Sequence, residues 1–256
     1  MPQGLALTDA GGSIYEDDTP FFMRPDHADY YQDESAVDAA RAKVAWVGTR
    51  IANGATVLDI GANVGFFVQE ASTRFRAAGI EPSAAAVEWG RVNLHANLHV
   101  GSVGVNDDAF TARHDAVTLF DVIEHLVDPR AALERCRSYL RPGGHLFLTT
   151  PDAGSAVARL LGRHWYYVDL IQHVSLFTGA NLTRLLHETG FRIVDRRTIG
   201  RRYRFSYITR RLRELSTGNA VLGVAAGAAS VLRPWPEARV GLNFGDVMGL
   251  AAVRTD

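Results

Sequence analysis

The sequence predicts a doubly wound α/β fold: a mostly parallel, seven-stranded sheet covered by helices on both faces, with an N-terminal helical cap and a late helical insertion. Three observations predict it. Short strand-like runs alternate with segments whose apolar residues recur at helical spacing. The first such run, "TVLDI", passes through a glycine turn, "GANVG", into an apolar segment, the pattern of a strand entering a helix. The chain has 256 residues, 47% of them hydrophobic and 21% charged, which is ample for one large core.

The elements follow in order. Residues 1–34 are rich in Asp, Pro, Gly and aromatics without period and read as a flexible, aromatic start. "ESAVDAARAKVAWVGTRIA" has helical spacing and stops near Asn53-Gly54. Then come the strand "TVLDI", the helix "GFFVQEASTRFRAA", the short strand "GIEP", the helix "SAAAVEWGRVNLHAN" and a weaker strand near "LHVGSVGV". "DAVTLFDVI" reads as a strand, "DPRAALERCRSYL" as a helix opened by Asp-Pro, "RPGG" as a turn and "HLFLTTP" as a strand. Past Pro151 the pattern loosens before the helix "GANLTRLLHETG", the strand "FRIVDRRTI" and a last strand, "DVMGLAAVR". Residues 35–256 read as one domain, with the helical insertion at about 203–236.

Charge and composition exclude some classes of partner. A net charge of −1 and a pI near 6.8 give no global attraction to nucleic acid or anionic lipid, so any such attraction must be local. The single cysteine, Cys136, rules out an intramolecular disulfide and reads as core filler in a reducing compartment. The first residues lack a basic region running into an apolar one, so the expected localisation is cytoplasmic. The longest uncharged run, within Asn219 to Leu232, is shorter than the roughly 18 to 20 residues that span a bilayer.

The turn "GANVG" carries the first chemistry. Gly61 and Gly65 allow a sharp turn and close helix packing, with backbone N–H groups facing a ligand. A dinucleotide fingerprint would read G-x-G-x-x-G, but Asn63 and Phe66 stand where its second and third glycines belong. Glu81, some 20 residues on, is placed to accept from ribose hydroxyls of any adenosine cofactor. At this point a turn without a ligand, an NAD site and another adenosine site all remain open.

The segment "LFDVIEHLVDPRAALERCRSYLRPGGHLFLTTP" resembles the class I S-adenosylmethionine-dependent methyltransferases. It is most similar to the branch of ubiquinone-biosynthesis O-methyltransferases and natural-product and sugar methyltransferases. The resemblance rests on Glu124-His125, Asp128-Pro129 and Leu140 to Gly144, with "VLDIGANVG" upstream and "QHVSLFTGANLTRLLHETGF" downstream, and covers about residues 40 to 200. It implies S-adenosylmethionine as cofactor, held by Asp59, Gly61, Asn63, Gly65, Glu81, Pro82 and Phe120, with Arg41 near the methionine carboxylate. The acid that relatives carry after the third strand is absent, and Ser102 stands in its place as the adenine contact.

Methyl transfer from a sulfonium is an in-line displacement, so positioning in a dry pocket is the main contribution of the protein. A protonated oxygen acceptor also needs a base, and His125 and His173 are the candidates, against the alternative that each caps a helix or ties a loop. Asp121, Glu124 and His125 are a weaker set for magnesium or manganese, because Asp121 and Glu124 are three apart at a strand end. "GRHWYYVD" reads either as an aromatic lid or as a hydrophobic flap. Eight arginines between Arg196 and Glu214, interleaved with aromatics, suit a phosphorylated acceptor, a lipid surface, a solvated helical insertion or, least well, RNA. The expected function is methylation of a small-molecule acceptor at oxygen. The alternatives are N- or C-methylation of a sugar, lipid or natural-product intermediate, a cofactor-binding module without turnover, and an NAD-dependent oxidoreductase.

Overall fold

The computed structural model describes residues 34–104, 110–165, 167–168, 173–204 and 239–255. They form two compact units. The first comprises residues up to Thr198 with Gly245–Asp256, and the second comprises Ile199–Phe244.

The first unit holds a seven-stranded sheet ordered β3-β2-β1-β4-β5-β9-β6. Its strands are β1 (Thr56–Ile60), β2 (Arg76–Glu81), β3 (Leu98–Val100), β4 (His114–Phe120), β5 (Leu140–Pro151), β6 (Phe191–Thr198) and β9 (Val247–Arg254). β1 to β5 pair in parallel, while β9 runs antiparallel between β5 and β6. The order reverses between β1 and β4, which opens a crevice at their carboxyl ends.

Period-two alternation distributes the core to both faces. Leu58, Val117, Leu119, Leu146, Leu148 and Leu250 share one apolar cluster with Leu133, Cys136 and Tyr139 of α4 (Pro129–Tyr139) and Leu182 and Leu186 of α6 (Gly179–Glu188). Val57, Ala116, Phe120, Phe147 and Ala251 face the other way. They pack with Val44, Trp46 and Val47 of α1 (Glu34–Val47) and Phe67 and Val68 of α2 (Phe66–Ala71). Cys136 is fully buried, as expected of a core residue. Local signals set the helix starts. Asp128 accepts from Ala131 N at 2.9 Å ahead of Pro129, Ser83 caps α3 (Ala84–Leu94), and Thr178 with Asn181 forms a capping box on α6.

Several boundaries differ from the sequence expectation. The second helix stops at Ala71, not Ala78, because Ser72 and Thr73 bond their hydroxyls back to Val68 O and Glu70 O and end the helix in a tight turn. Arg76 to Ala78 then join β2, in register with Thr56 to Leu58. The loose stretch after Pro151 contains an unforeseen α5 (Ala156–Leu161), capped by Ser155, whose Oγ accepts from Ala158 N at 3.1 Å. In the second unit β7 (Arg201–Arg204) pairs antiparallel with β8 (Arg239–Leu242). Tyr203 and Arg204 are therefore strand, not the start of a helical insertion; the rest of that insertion and residues 1–33 lie outside the described residues. Among the described residues no helix is long and apolar enough to cross a membrane.

Candidate cofactor and acceptor site

Three acids gather at the carboxyl ends of β1, β2 and β4. Asp59 is 4% exposed and accepts from the Thr118 hydroxyl of the adjacent strand. Burial pushes its carboxyl up to about 7, against the Thr118 hydrogen bond and the charge of Lys43, which act the other way. Glu81 ends β2, and both its oxygens hold backbone: Oε2 accepts from Asn63 N at 2.9 Å and Oε1 from Ser83 N at 3.0 Å. Burial raises its pKa while those two donors oppose the rise. A carboxylate has about four lone-pair positions, so each Glu81 oxygen retains one for a ligand hydroxyl. Asp121, with φ 60, lies 3.3 Å from Lys43 Nζ through its Oδ2.

The glycine turn is shaped by its neighbours. Gly61, Asn63 and Gly65 all have positive φ, at 69, 50 and 89 degrees. A Cβ on Gly61 would meet Val122 Cγ2 at 2.6 Å, and one on Gly65 would meet Ala96 Cβ at 2.8 Å. Asn63 tolerates the left-handed conformation better than most residues, and its side-chain oxygen accepts from Val64 N at 2.7 Å. Phe120 is 9% exposed, edge-on to Phe67 with ring centroids 5.0 Å apart, and Lys43 Nζ sits 4.7 Å from its ring centroid.

The two candidate histidines meet. His125 closes a 3-10 turn, Ile123–His125, directly after β4, and its ring centroid is 4.9 Å from that of His173. The segment ahead of α6 is drawn to β4 by Ser175 N, which donates to Glu124 O at 2.9 Å. His173 Nδ1 lies 2.7 Å from Tyr167 O. A carbonyl only accepts, so Nδ1 of neutral His173 carries the proton and Nε2 carries the lone pair. Glu124 is 2% exposed and accepts from Thr150 Oγ1 at 2.9 Å. One donor atom from each of Glu124, His125 and His173 lies within 4.8 Å of the others, a grouping able to hold a metal ion. Asp121, expected in that group, faces Lys43 instead.

The remaining expected residues have their own surroundings. The Arg41 guanidinium is exposed and paired with Glu70 at 3.4 Å and Asp38 at 3.9 Å. Pro82 is exposed, and Ser102 is half-buried just beyond β3. Of the aromatics in "GRHWYYVD", Trp165 and Tyr167 are among the described residues and Tyr166 lies outside them. Trp165 and Tyr167 are 4% and 5% exposed, and Trp165 Nε1 donates to the buried Asp246 at 3.2 Å. The first arginines of the basic cluster have structural partners. Arg197 pairs with Asp195 and lies over Trp46, and Arg196 donates to the Thr183 hydroxyl. Sequence reasoning missed Lys43 and Thr118. Lys43 carried a signal, being two residues past Arg41 and hence on a different face of the same helix; Thr118 carried only its place one strand over from Asp59.

This donor set fits a nucleoside with an amino-acid tail: carboxylates for ribose hydroxyls and an ammonium, a lysine for a carboxylate, and glycines that leave no room for added side chains. A family model described as a methyltransferase domain matches residues 31–196. A ubiquinone biosynthesis O-methyltransferase of Alkalilimnicola ehrlichii is 29% identical over 38% of this chain, and the match spans 42% of that relative's length. An O-methyltransferase of Aspergillus nomiae is 26% identical over 66% of this chain and 81% of its own. Among solved structures, the 1,6-didemethyltoxoflavin-N1-methyltransferase of Burkholderia thailandensis, with bound S-adenosylhomocysteine, is similar at TM-score 0.52 and 20% identity over 90% of this chain and 83% of that one.

Proposed function

The chain belongs to the methyltransferase domain family, and from that premise we propose that it transfers the methyl group of S-adenosylmethionine to an oxygen of a small-molecule acceptor. The family match argues against the oxidoreductase alternative, as does a turn without its third glycine. When bound, the cofactor supplies an electrophilic methyl group on a sulfonium. Glu81 takes the ribose hydroxyls with its remaining lone pairs, Asp59 takes the methionine ammonium, and Lys43 takes the methionine carboxylate.

The observation that carries oxygen as the acceptor atom is the pairing of His125 with His173. The bond from His173 Nδ1–H to Tyr167 O leaves Nε2 as a base, ready to receive the proton of a hydroxyl or phenol as its oxygen attacks. Neutral amines reach such a site with a lone pair already available and do not need that base. Val127 and Val174, neighbours of the two histidines in the chain, are 60% and 49% exposed, which favours an acceptor with an apolar or aromatic body. The buried Tyr167 ring lies 5.9 Å from that of His173 between centroids and is itself backed edge-on by the buried Trp165.

Labelled methyl transfer from S-adenosylmethionine to matched panels of phenols, aliphatic alcohols and amines tests this reading. Product should form on the hydroxyl panel, and His173→Gln should lower turnover by about 10² or more while leaving S-adenosylhomocysteine affinity intact. Turnover on amines alone, unchanged in His173→Gln, would overturn it. The closeness of Glu124, His125 and His173 favours a second reading, in which a divalent ion activates the hydroxyl. Loss of activity in a chelator, restored by magnesium or manganese, would decide for that reading; an unchanged rate would decide for the base.

A further inference from the structure

A second cavity lies at the other end of the sheet. It measures about 420 Å³ and is lined by Arg50 to Ala55 of the loop before β1, Arg76 of β2, Asp115 of β4, and Arg141 with Gly143 to His145 of β5. Thr56 and Arg76 begin their strands, whereas Glu81 and Phe120 end theirs. At about 3.3 Å per residue, a five-residue strand separates this cavity from the cofactor turn by roughly 15 Å.

Its charge is one-sided. Three arginines from separate segments line it, and the one carboxylate in the lining is committed. Asp115 is 7% exposed; its Oδ2 accepts from Thr56 N at 2.8 Å and Thr56 Oγ1 at 2.9 Å, and its Oδ1 takes Arg141. Arg50 donates one N–H to Val194 O at 3.1 Å, and its charge also acts on Asp195, a carboxylate outside the lining that is itself hydrogen-bonded by Trp46 and Arg197. Arg76 has no ion-pair or hydrogen-bond partner for its guanidinium among the described residues. His145, in the same wall, is held below its ordinary pKa by burial and by the charge of Arg50, so the positive field of the cavity is felt by its own lining.

Guanidinium forks match phosphate oxygens in geometry as well as charge, and the recess is large enough for a phosphate with a small organic group attached. We propose that this cavity is an anion site for a soluble phosphate-bearing small molecule, with Arg50 and Arg76 as the phosphate-binding side chains and Arg141 held in place by Asp115. The recess faces away from the crevice that holds the cofactor, so both ligands bind at once.

The test is calorimetry and thermal melting of the full chain with inorganic pyrophosphate, in the presence of saturating S-adenosylhomocysteine, against sodium chloride at matched ionic strength. Saturable binding and a rise in melting temperature beyond that in chloride are expected. Arg50→Gln/Arg76→Gln should lose affinity tenfold or more with S-adenosylhomocysteine affinity unchanged. If the double variant does not fold, the exposed single variant Arg76→Gln is read instead and should still weaken binding several-fold. A response equalled by chloride, or equal in wild type and variants, overturns the proposal. So does Arg76-dependent sedimentation with phosphatidate-containing vesicles in the absence of pyrophosphate binding, which would assign the surface to a lipid headgroup.

Discussion

The proposed roles of Asp59 and Lys43 make the response of the crevice to pH and to substitution testable. A carboxyl that ionises near 7 is neutral over part of the working range, and holding its charge at that depth costs on the order of 4 kcal/mol. Ionised Asp59 is the form that attracts an ammonium, so affinity for S-adenosylhomocysteine should rise as pH climbs from about 6 to 8. Asp59→Asn should bind more weakly and lose most of that slope; a slope preserved in Asp59→Asn would remove the assignment. Lys43 touches Asp121 and Phe120, whereas Arg41 turns to Glu70. Lys43→Met should therefore weaken S-adenosylhomocysteine about tenfold or more and leave 5′-methylthioadenosine, which has no carboxylate, unaffected. The reverse result, a loss confined to Arg41→Met, would return the role to Arg41. Arg41 and Lys43 lie on different faces of one helix, because two residues along a helix turn a side chain by about 200 degrees.

At the level of elements, the glycine turn is held as much by protein as by any ligand. Gly61 needs its positive φ and its missing Cβ to let β1 pass under Val122, and Glu81 fastens the turn through Asn63 N. Gly61→Ala should cost about 1 to 3 kcal/mol of stability, through strain and overpacking together. A denaturant melt with an unchanged midpoint would show that Val122 simply moves aside. Strands β1, β4, β5, β6 and β9 and helices α4 and α6 were legible because their apolar period and capping residues agree. The C-terminal limit of α2 was not, since hydroxyl back-bonding at Ser72 and Thr73 outweighs a helical pattern of apolar residues that runs on to Ala78. His125 and His173 were both expected at the pocket mouth from their places after β4 and before α6, but not the backbone bond that joins their segments across 51 positions, Ser175 N to Glu124 O.

For the molecule as a whole, two apolar layers on a seven-stranded sheet leave a crevice at one end of the strands and an arginine-lined recess at the other. The composition and the alternation of elements were enough to predict the layers. The recess was not legible, because its three arginines are scattered over three segments and only the fold gathers them. The same layering buries His114 at the start of β4 with neither ring nitrogen hydrogen-bonded among the described residues, and burial with the charge of Arg113 pulls its pKa down to about 4. Unfolded, that imidazole protonates near 6.5, so the unfolded state binds more protons between the two values and stability falls as pH drops through that window. His114→Phe should lose less melting temperature than wild type between pH 7 and 4.5; equal losses would place the acid sensitivity elsewhere. The central claim is that the crevice is built for S-adenosylmethionine, and it is tested most directly by titrating the full chain with S-adenosylhomocysteine and with NAD in a calorimeter. Saturable binding of S-adenosylhomocysteine, weakened in Glu81→Ala, with no heat from NAD, is the predicted result, and binding of NAD with none of S-adenosylhomocysteine would contradict it.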